Sequence, residues 1–201
     1  MNAAAPTQTD AAPGALSDDE LVARCRSGKL ASPAFDELYR RHAPAVLAFL
    51  CGLHRGDEQG AREALQETFV RCYTALPSFE PGRQLRPWLY RIARNLTLDR
   101  WKRGARERLL EPEVVGELAG SEPRPGPVEV AARREGAALL RGAVDELPAA
   151  ERAVFLLRHD QGLSYAEVAD ALSCSVRTAK YRMKAALERL GREAERLGVT
   201  P

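Results

Sequence analysis

Aromatic side chains are scarce in this chain, at 6% of 201 residues. With Ala, Leu, Arg and Glu dominating, that scarcity favours an all-helical protein, and no strand pattern or internal repeat is visible. No apolar run approaches the roughly 18 residues that span a bilayer, so membrane insertion is not expected. The N-terminus, MNAAAPTQTDAAPGA, has neither a basic start nor an apolar stretch. It reads as a disordered tail rather than a secretory signal. Cysteine is limited to four widely separated residues, Cys25, Cys51, Cys72 and Cys174, with no CxxC spacing. That argues against a disulfide framework or zinc site and makes the reducing cytoplasm the natural setting. His42, His54 and His159 are isolated, and there is no P-loop, dinucleotide fingerprint, nucleophile elbow or HExxH. Neither catalysis, a metal nor a cofactor is therefore expected. Charge of one sign is also missing. The formal net charge is only +2, so a partner of opposite sign must be sought in local clusters.

One such cluster lies in LSYAEVADALSCSVRTAKYRMKAAL, Leu163 to Leu187. Ser164 is placed to cap a helix over Tyr165 to Leu172, and Val168 and Leu172 share a face. Ala169 is small enough for a close helix crossing. Ser173 stands at a turn position that favours glycine, where a left-handed residue costs about 1 kcal/mol. Ser175 is placed to cap a second helix with an apolar stripe at Val176, Ala179, Met183 and Leu187. Between these lie Arg177, Thr178, Lys180, Tyr181, Arg182 and Lys184. The pattern predicts a helix-turn-helix whose second helix offers Arg177, Thr178, Lys180, Tyr181 and Lys184 to duplex DNA.

Upstream, Ser17 and Glu20 form a capping box for a helix to about Ser27. Ser32 and Pro33 open a second helix with Phe35, Leu38, Tyr39, His42, Val46, Phe49 and Leu50 on its buried side. Pro44 should bend or divide it. A third helix is expected over Glu58 to Leu76, with Ala61, Leu65, Phe69, Cys72 and Leu76 inward. A loop from Phe79 to Leu85 follows. A fourth helix, from about Pro87, carries Trp88, Leu89, Ile92, Ala93 and Leu96 and ends in Arg100, Lys102, Arg103, Arg106 and Arg108. Prolines and glycines then interrupt any long helix. The reading is all-α, with two small helical domains joined by a flexible linker: tail 1–15, first domain 16–108, linker 109–128, second domain 129–195. In the second, a helix from about Glu129 to Leu147 and another from Ala149 to His159 precede the helix-turn-helix.

EALQETFVRCYTAL, RPWLYRIARNLTLDRWKR and the terminal helix-turn-helix occur in that order, around a proline-bearing linker. The ordered set resembles bacterial RNA polymerase sigma factors of the sigma-70 family, extracytoplasmic-function group, over nearly all of residues 16–192. Their two conserved domains are called region 2 and region 4. The resemblance implies a promoter-specificity subunit that binds core polymerase, recognises minus-thirty-five and minus-ten elements and helps open DNA. It implies docking on the clamp of the largest polymerase subunit through Glu63, Gln66, Glu67 and Arg71, and contact with the flap of the second largest. For the minus-ten element and melting it implies Phe79, Arg83, Trp88, Arg91, Arg94, Asn95, Arg100, Lys102 and Arg103, with Trp88 equally suited to packing. Region 4 would read the minus-thirty-five element, with Tyr181 on a thymine methyl or a phosphate. An anti-sigma partner is expected, and a monomer when free. The rival readings are a dimeric helix-turn-helix regulator that acts without polymerase and a helical adaptor. Against the first stands the arginine-rich Trp-Leu-Tyr helix, and against the second the basic recognition helix.

Overall fold

In the computed structural model, residues 13–26, 33–80, 82–110 and 141–196 are described, and all regular structure among them is helical. The first lobe holds α1 (Asp18–Arg26), α2 (Pro33–Leu53), α3 (Glu58–Ala75) and α4 (Leu85–Leu110). The expected capping box opens α1: the Ser17 amide donates to Glu20 Oε2 at 2.7 Å, and the Glu20 amide donates back to Ser17 Oγ at 3.3 Å. A single turn, Pro13–Ala15, precedes it, and Arg41 donates to the Gly14 carbonyl at 3.1 Å. The expected tail therefore has a tied-down end, while residues 1–12 lie outside the described residues.

Pro44 does not divide α2, which continues unbroken to Leu53. A proline removes one backbone bond, and here the neighbouring Ala43 and Val46 are buried and hold the helix in place. The inward face of α2 comprises Leu38, Val46, Phe49 and Leu50, whereas Tyr39 points outward. Asp57 caps α3, accepting from the Gly60 amide at 2.9 Å. Ala61, Leu65, Phe69, Cys72 and Leu76 are all buried, as their spacing requires. Burial holds the Cys72 thiol up at about 12, so it packs as a small hydrophobe. The linker expected over 109–128 begins inside α4, and residues 111–128 lie outside the described residues.

The second lobe is described from residue 141, with the expected helix over 129–147 seen as helical at 141–146. α5 (Ala149–Phe155) widens into a π turn, Leu156–Asp160, closed by the Gln161 amide on the Leu156 carbonyl at 3.1 Å. α6 (Tyr165–Ala171) and α7 (Val176–Arg196) complete it. Ser164 and Glu167 form a reciprocal capping box on α6. Ser173 is left-handed, with φ 49°, as the turn position predicts. Ser175 caps α7, accepting from the Thr178 amide at 3.0 Å.

One set of buried side chains runs through both lobes. α4 packs against α6, and α2 against α5 and the π turn. Arg152, on α5, is 1% exposed and forms no ion pair among the described residues. It donates to the Asp145 carbonyl at 2.7 Å and, across the lobes, to the Leu53 carbonyl at 3.2 Å. Leu53 ends α2, so the cation meets one of the last carbonyls at the negative end of that helix dipole.

Candidate nucleic-acid interface

α7 divides into two faces. Ala179, Met183, Ala186 and Leu190 are buried, while Val176 and Leu187 are exposed. The expected stripe therefore turns: steps of four residues overshoot a 3.6-residue repeat, and the buried line moves to 186 and 190. Opposite it, Arg177, Lys180, Tyr181 and Lys184 are exposed, and Tyr181 is 72% exposed. Thr178 is half-buried, its hydroxyl 2.8 Å from Ser175 Oγ, at the cap rather than beyond it. Lys180 Nζ and Arg158 Cζ lie 5.7 and 5.3 Å from the Tyr165 ring centroid. That ring restrains Lys180 where it leaves the helix.

The α4 surface is less uniform. Asn95, Lys102 and Arg103 are exposed. Arg100 turns back to α3 and bonds Glu63 Oε2 at 3.1 Å. Arg91 donates Nε–H to the Asp170 carbonyl at 2.9 Å and also bonds the Asp170 carboxylate, on α6. Arg83 Nη2 is 3.8 Å from the same carboxylate. Arg94 is half-buried, and its charge is disfavoured by burial and then by Arg182 of α7.

Phe79 and Trp88 are in the core. Phe79 is 4% exposed and Trp88 9%, with ring centroids 4.7 Å apart. Phe79, expected on the DNA side, is thus packed inside the lobe, and Trp88 occupies the packing position of the two roles left open for it. In this arrangement each ring's apolar area is covered by the other and by the lobe. Of the minus-ten candidates, Asn95, Lys102 and Arg103 are exposed on α4, with Asn95 accepting from Arg94 and Arg103 donating to the Asp99 carbonyl, while Arg83, Arg91 and Arg94 face the second lobe and Arg100 faces α3.

On α3, Glu63, Gln66 and Arg71 are exposed and Glu67 half-buried, with Arg71 Nε 2.9 Å from Glu67 Oε1. Beside them runs an apolar groove between α2 and α3, lined by Tyr39, Leu47, Leu65, Phe69, Val70 and Tyr73. Tyr39 and Val70 are 44% and 53% exposed. Sequence reasoning missed this groove, although Gln66, Val70 and Tyr73 follow one another at helical steps of four and three.

Residues 38–107 match the family model for sigma-70 region 2, and residues 137–190 that for sigma-70 region 4. The sigma factor CnrH of Cupriavidus metallidurans is 33% identical over 178 residues, covering 86% of this chain and 92% of its own length. The chain belongs to the sigma-70 family, in its extracytoplasmic-function group. As a sigma factor it is a promoter-specificity subunit of RNA polymerase.

The sigma factor is also 34% identical to the extracytoplasmic-function sigma factor SigE of Mycolicibacterium smegmatis over 154 residues, 76% of this chain but 58% of SigE. Its fold matches CnrH in complex with the cytosolic domain of CnrY, with a TM-score of 0.63, 27% identity and coverage of 89% and 97% of the two chains. It likewise matches RpoE in complex with the anti-sigma factor NepR from Bartonella quintana, with a TM-score of 0.68, 25% identity and coverage of 82% and 98%. Among the described residues no helix is long and apolar enough to cross a membrane, and no cluster of His, Cys, Asp or Glu is arranged to hold a metal.

Proposed function

We propose that the sigma factor reads a promoter with both lobes while core polymerase holds it. The observation that carries this reading is the division of α7: one face is locked into the lobe, while the other leaves Arg177, Lys180, Tyr181 and Lys184 in solvent. A rigid helix with a free cationic face suits the major groove, where phosphate contacts position and base-edge contacts specify. These residues, with Thr178 ordering the cap, would take the minus-thirty-five element as duplex. On α4, Asn95, Lys102 and Arg103, joined by Arg83, Arg91, Arg94 and Arg100 once freed from their internal partners, would take the minus-ten strand as it opens. Phe79 and Trp88 support that surface from beneath.

Core polymerase would dock on α3 through Glu63, Gln66, Glu67 and Arg71, with the clamp of its largest subunit against the Tyr39–Val70 groove. Contact with the flap of the second largest subunit belongs to the second lobe. The chain itself supplies recognition and binding energy, and polymerisation chemistry belongs to the core enzyme. Two solved relatives are held by other proteins, CnrY and the anti-sigma factor NepR, and this reading extends to an anti-sigma partner here. A cytoplasmic monomer awaiting polymerase completes the proposal.

Competition for core polymerase tests the docking assignment. A Gln66→Ala, Glu67→Ala variant should displace labelled wild-type protein about tenfold less well, with its helical content intact, as expected when polar anchors at an apolar contact are truncated. Equal competition by the folded variant would contradict it.

A further inference from the structure

Two of the arginines that the promoter-reading proposal assigns to the minus-ten strand are already engaged by the chain's own carboxylate. Arg91 bonds both the carbonyl and the carboxylate of Asp170, and Arg83 stands 3.8 Å from that carboxylate. Asp170 is the penultimate residue of α6. An anion there opposes the dipole of its own helix, so the residue gives α6 nothing locally. What it does provide is one carboxylate oxygen, Oδ1, within reach of two guanidinium groups, beside its own main-chain carbonyl, so that the Arg91 fork meets two acceptors at once, as it would two oxygens of a phosphate.

The surrounding contacts make this one continuous interface. Arg86 donates to the Gln161 carbonyl at 2.8 Å, and the Tyr90 hydroxyl bonds Gln161 Oε1 at 3.0 Å. Lower down, Gly52 of α2 admits Leu156: a Cβ at position 52 would stand 2.7 Å from Leu156 Cδ1. A counterforce is present too: burial and then the like charge of Arg182, on the opposite lobe, disfavour the charge of Arg94.

We propose that Asp170 is an internal stand-in for a DNA phosphate, latching the free sigma factor closed and masking Arg83 and Arg91 until polymerase or another partner parts the lobes. The proposal rests on the assignment of those arginines to DNA. A closed form that cannot bind lowers apparent affinity by the fraction of molecules that are open. Opening the latch should therefore raise the free protein's affinity for single strands without adding any contact.

The test uses the full chain and two unrelated variants, Asp170→Ala, which removes the mimic, and Gly52→Leu, which wedges α2 from the π turn. Small-angle scattering reads compactness, and fluorescence anisotropy reads binding to a labelled mixed-sequence single-stranded oligonucleotide. Both variants should enlarge the radius of gyration and tighten oligonucleotide binding by a factor of about 5 or more. A charge swap, Arg91→Asp with Asp170→Arg, should recover compactness that Asp170→Arg alone loses. Unchanged dimensions in both single variants, or expansion with unchanged oligonucleotide affinity, would overturn the latch. Scattering needs neither polymerase nor promoter. Variants that open and bind as described, from a wild-type protein that supports no transcription with active core and a cognate promoter, would refute the promoter-reading proposal and leave the latch standing.

Discussion

Lys180 and Lys184 differ in kind from Arg83 and Arg91, although all four are cations on helices assigned to DNA. The lysines have exposed ammonium groups, with only an aromatic face near one and Glu188 at 3.7 Å from the other. The arginines are bonded or closely opposed to Asp170. An exposed pair contributes little and is readily exchanged for a phosphate, so the lysines are ready binders and the arginines conditional ones. Lys180→Ala and Lys184→Ala should each reduce the slope of log affinity against log salt, for duplex carrying the upstream element, by about 0.9. A slope equal to wild type would remove that lysine from the phosphate contacts. Arg152 shows a third use of a cation, buried on carbonyls from two lobes, where its charge is disfavoured by burial and then by Arg55.

Helix caps and stripes were legible in the sequence because each is local. The Ser17 capping box, the Ser164 cap, the left-handed Ser173 and the inward face of α3 depend on residues three or four apart. Legibility failed where a distant element decides. Phe79 looked like a loop residue free for a base, but Trp88 covers it. Tyr39 fits the inward period of α2, yet it faces an open groove that α3 shapes with it. The partner of Arg91 lies 79 residues away, beyond any periodicity. Distant pairing also governs how the first lobe responds to acid. Neutral His42 donates Nε2–H to Asp18 at 2.8 Å, joining α2 to α1. Neutral His54 donates to Thr97 Oγ1 at 3.2 Å, joining the end of α2 to α4. Burial holds both imidazoles below their usual range, outweighing Asp18 and Asp57 respectively. The unfolded chain then takes up protons first, so their stabilisation is complete above about 6.5 and declines as pH falls through the lower folded values. Glu37 behaves separately. Hydrogen bonds from Arg40 and then Arg41 hold its carboxyl down at about 2, so its contribution fades only between about 4.3 and that value. The melting temperature should drop between pH about 7 and about 5, and combining His42→Gln with His54→Gln should flatten the drop. A wild-type melting temperature constant over that range would contradict the assignment.

At the scale of the whole molecule, the two lobes have separate tasks and a shared interface. Region 2 and region 4 each match their own family model, and each presents basic groups on a helix whose other side is core. On the proposed reading the lobes part to reach two promoter elements, whereas in this structure α4 against α6 and Arg152 on Leu53 hold them together. Polymerase docking on the Gln66 face would supply binding energy for that rearrangement, as a ligand must when it prefers one of two states. This explains why a chain of net charge +2 serves a polyanion: its cations are concentrated on two faces, and part of one is neutralised internally. The most direct measurement is reconstituted transcription from a cognate promoter with purified core RNA polymerase. The account predicts transcripts with a single defined start only when this chain and core are combined, and none when Arg177, Lys180 and Lys184 are all replaced by alanine. Transcription from that promoter by core alone, or no initiation by the folded wild-type chain with active core, would contradict it.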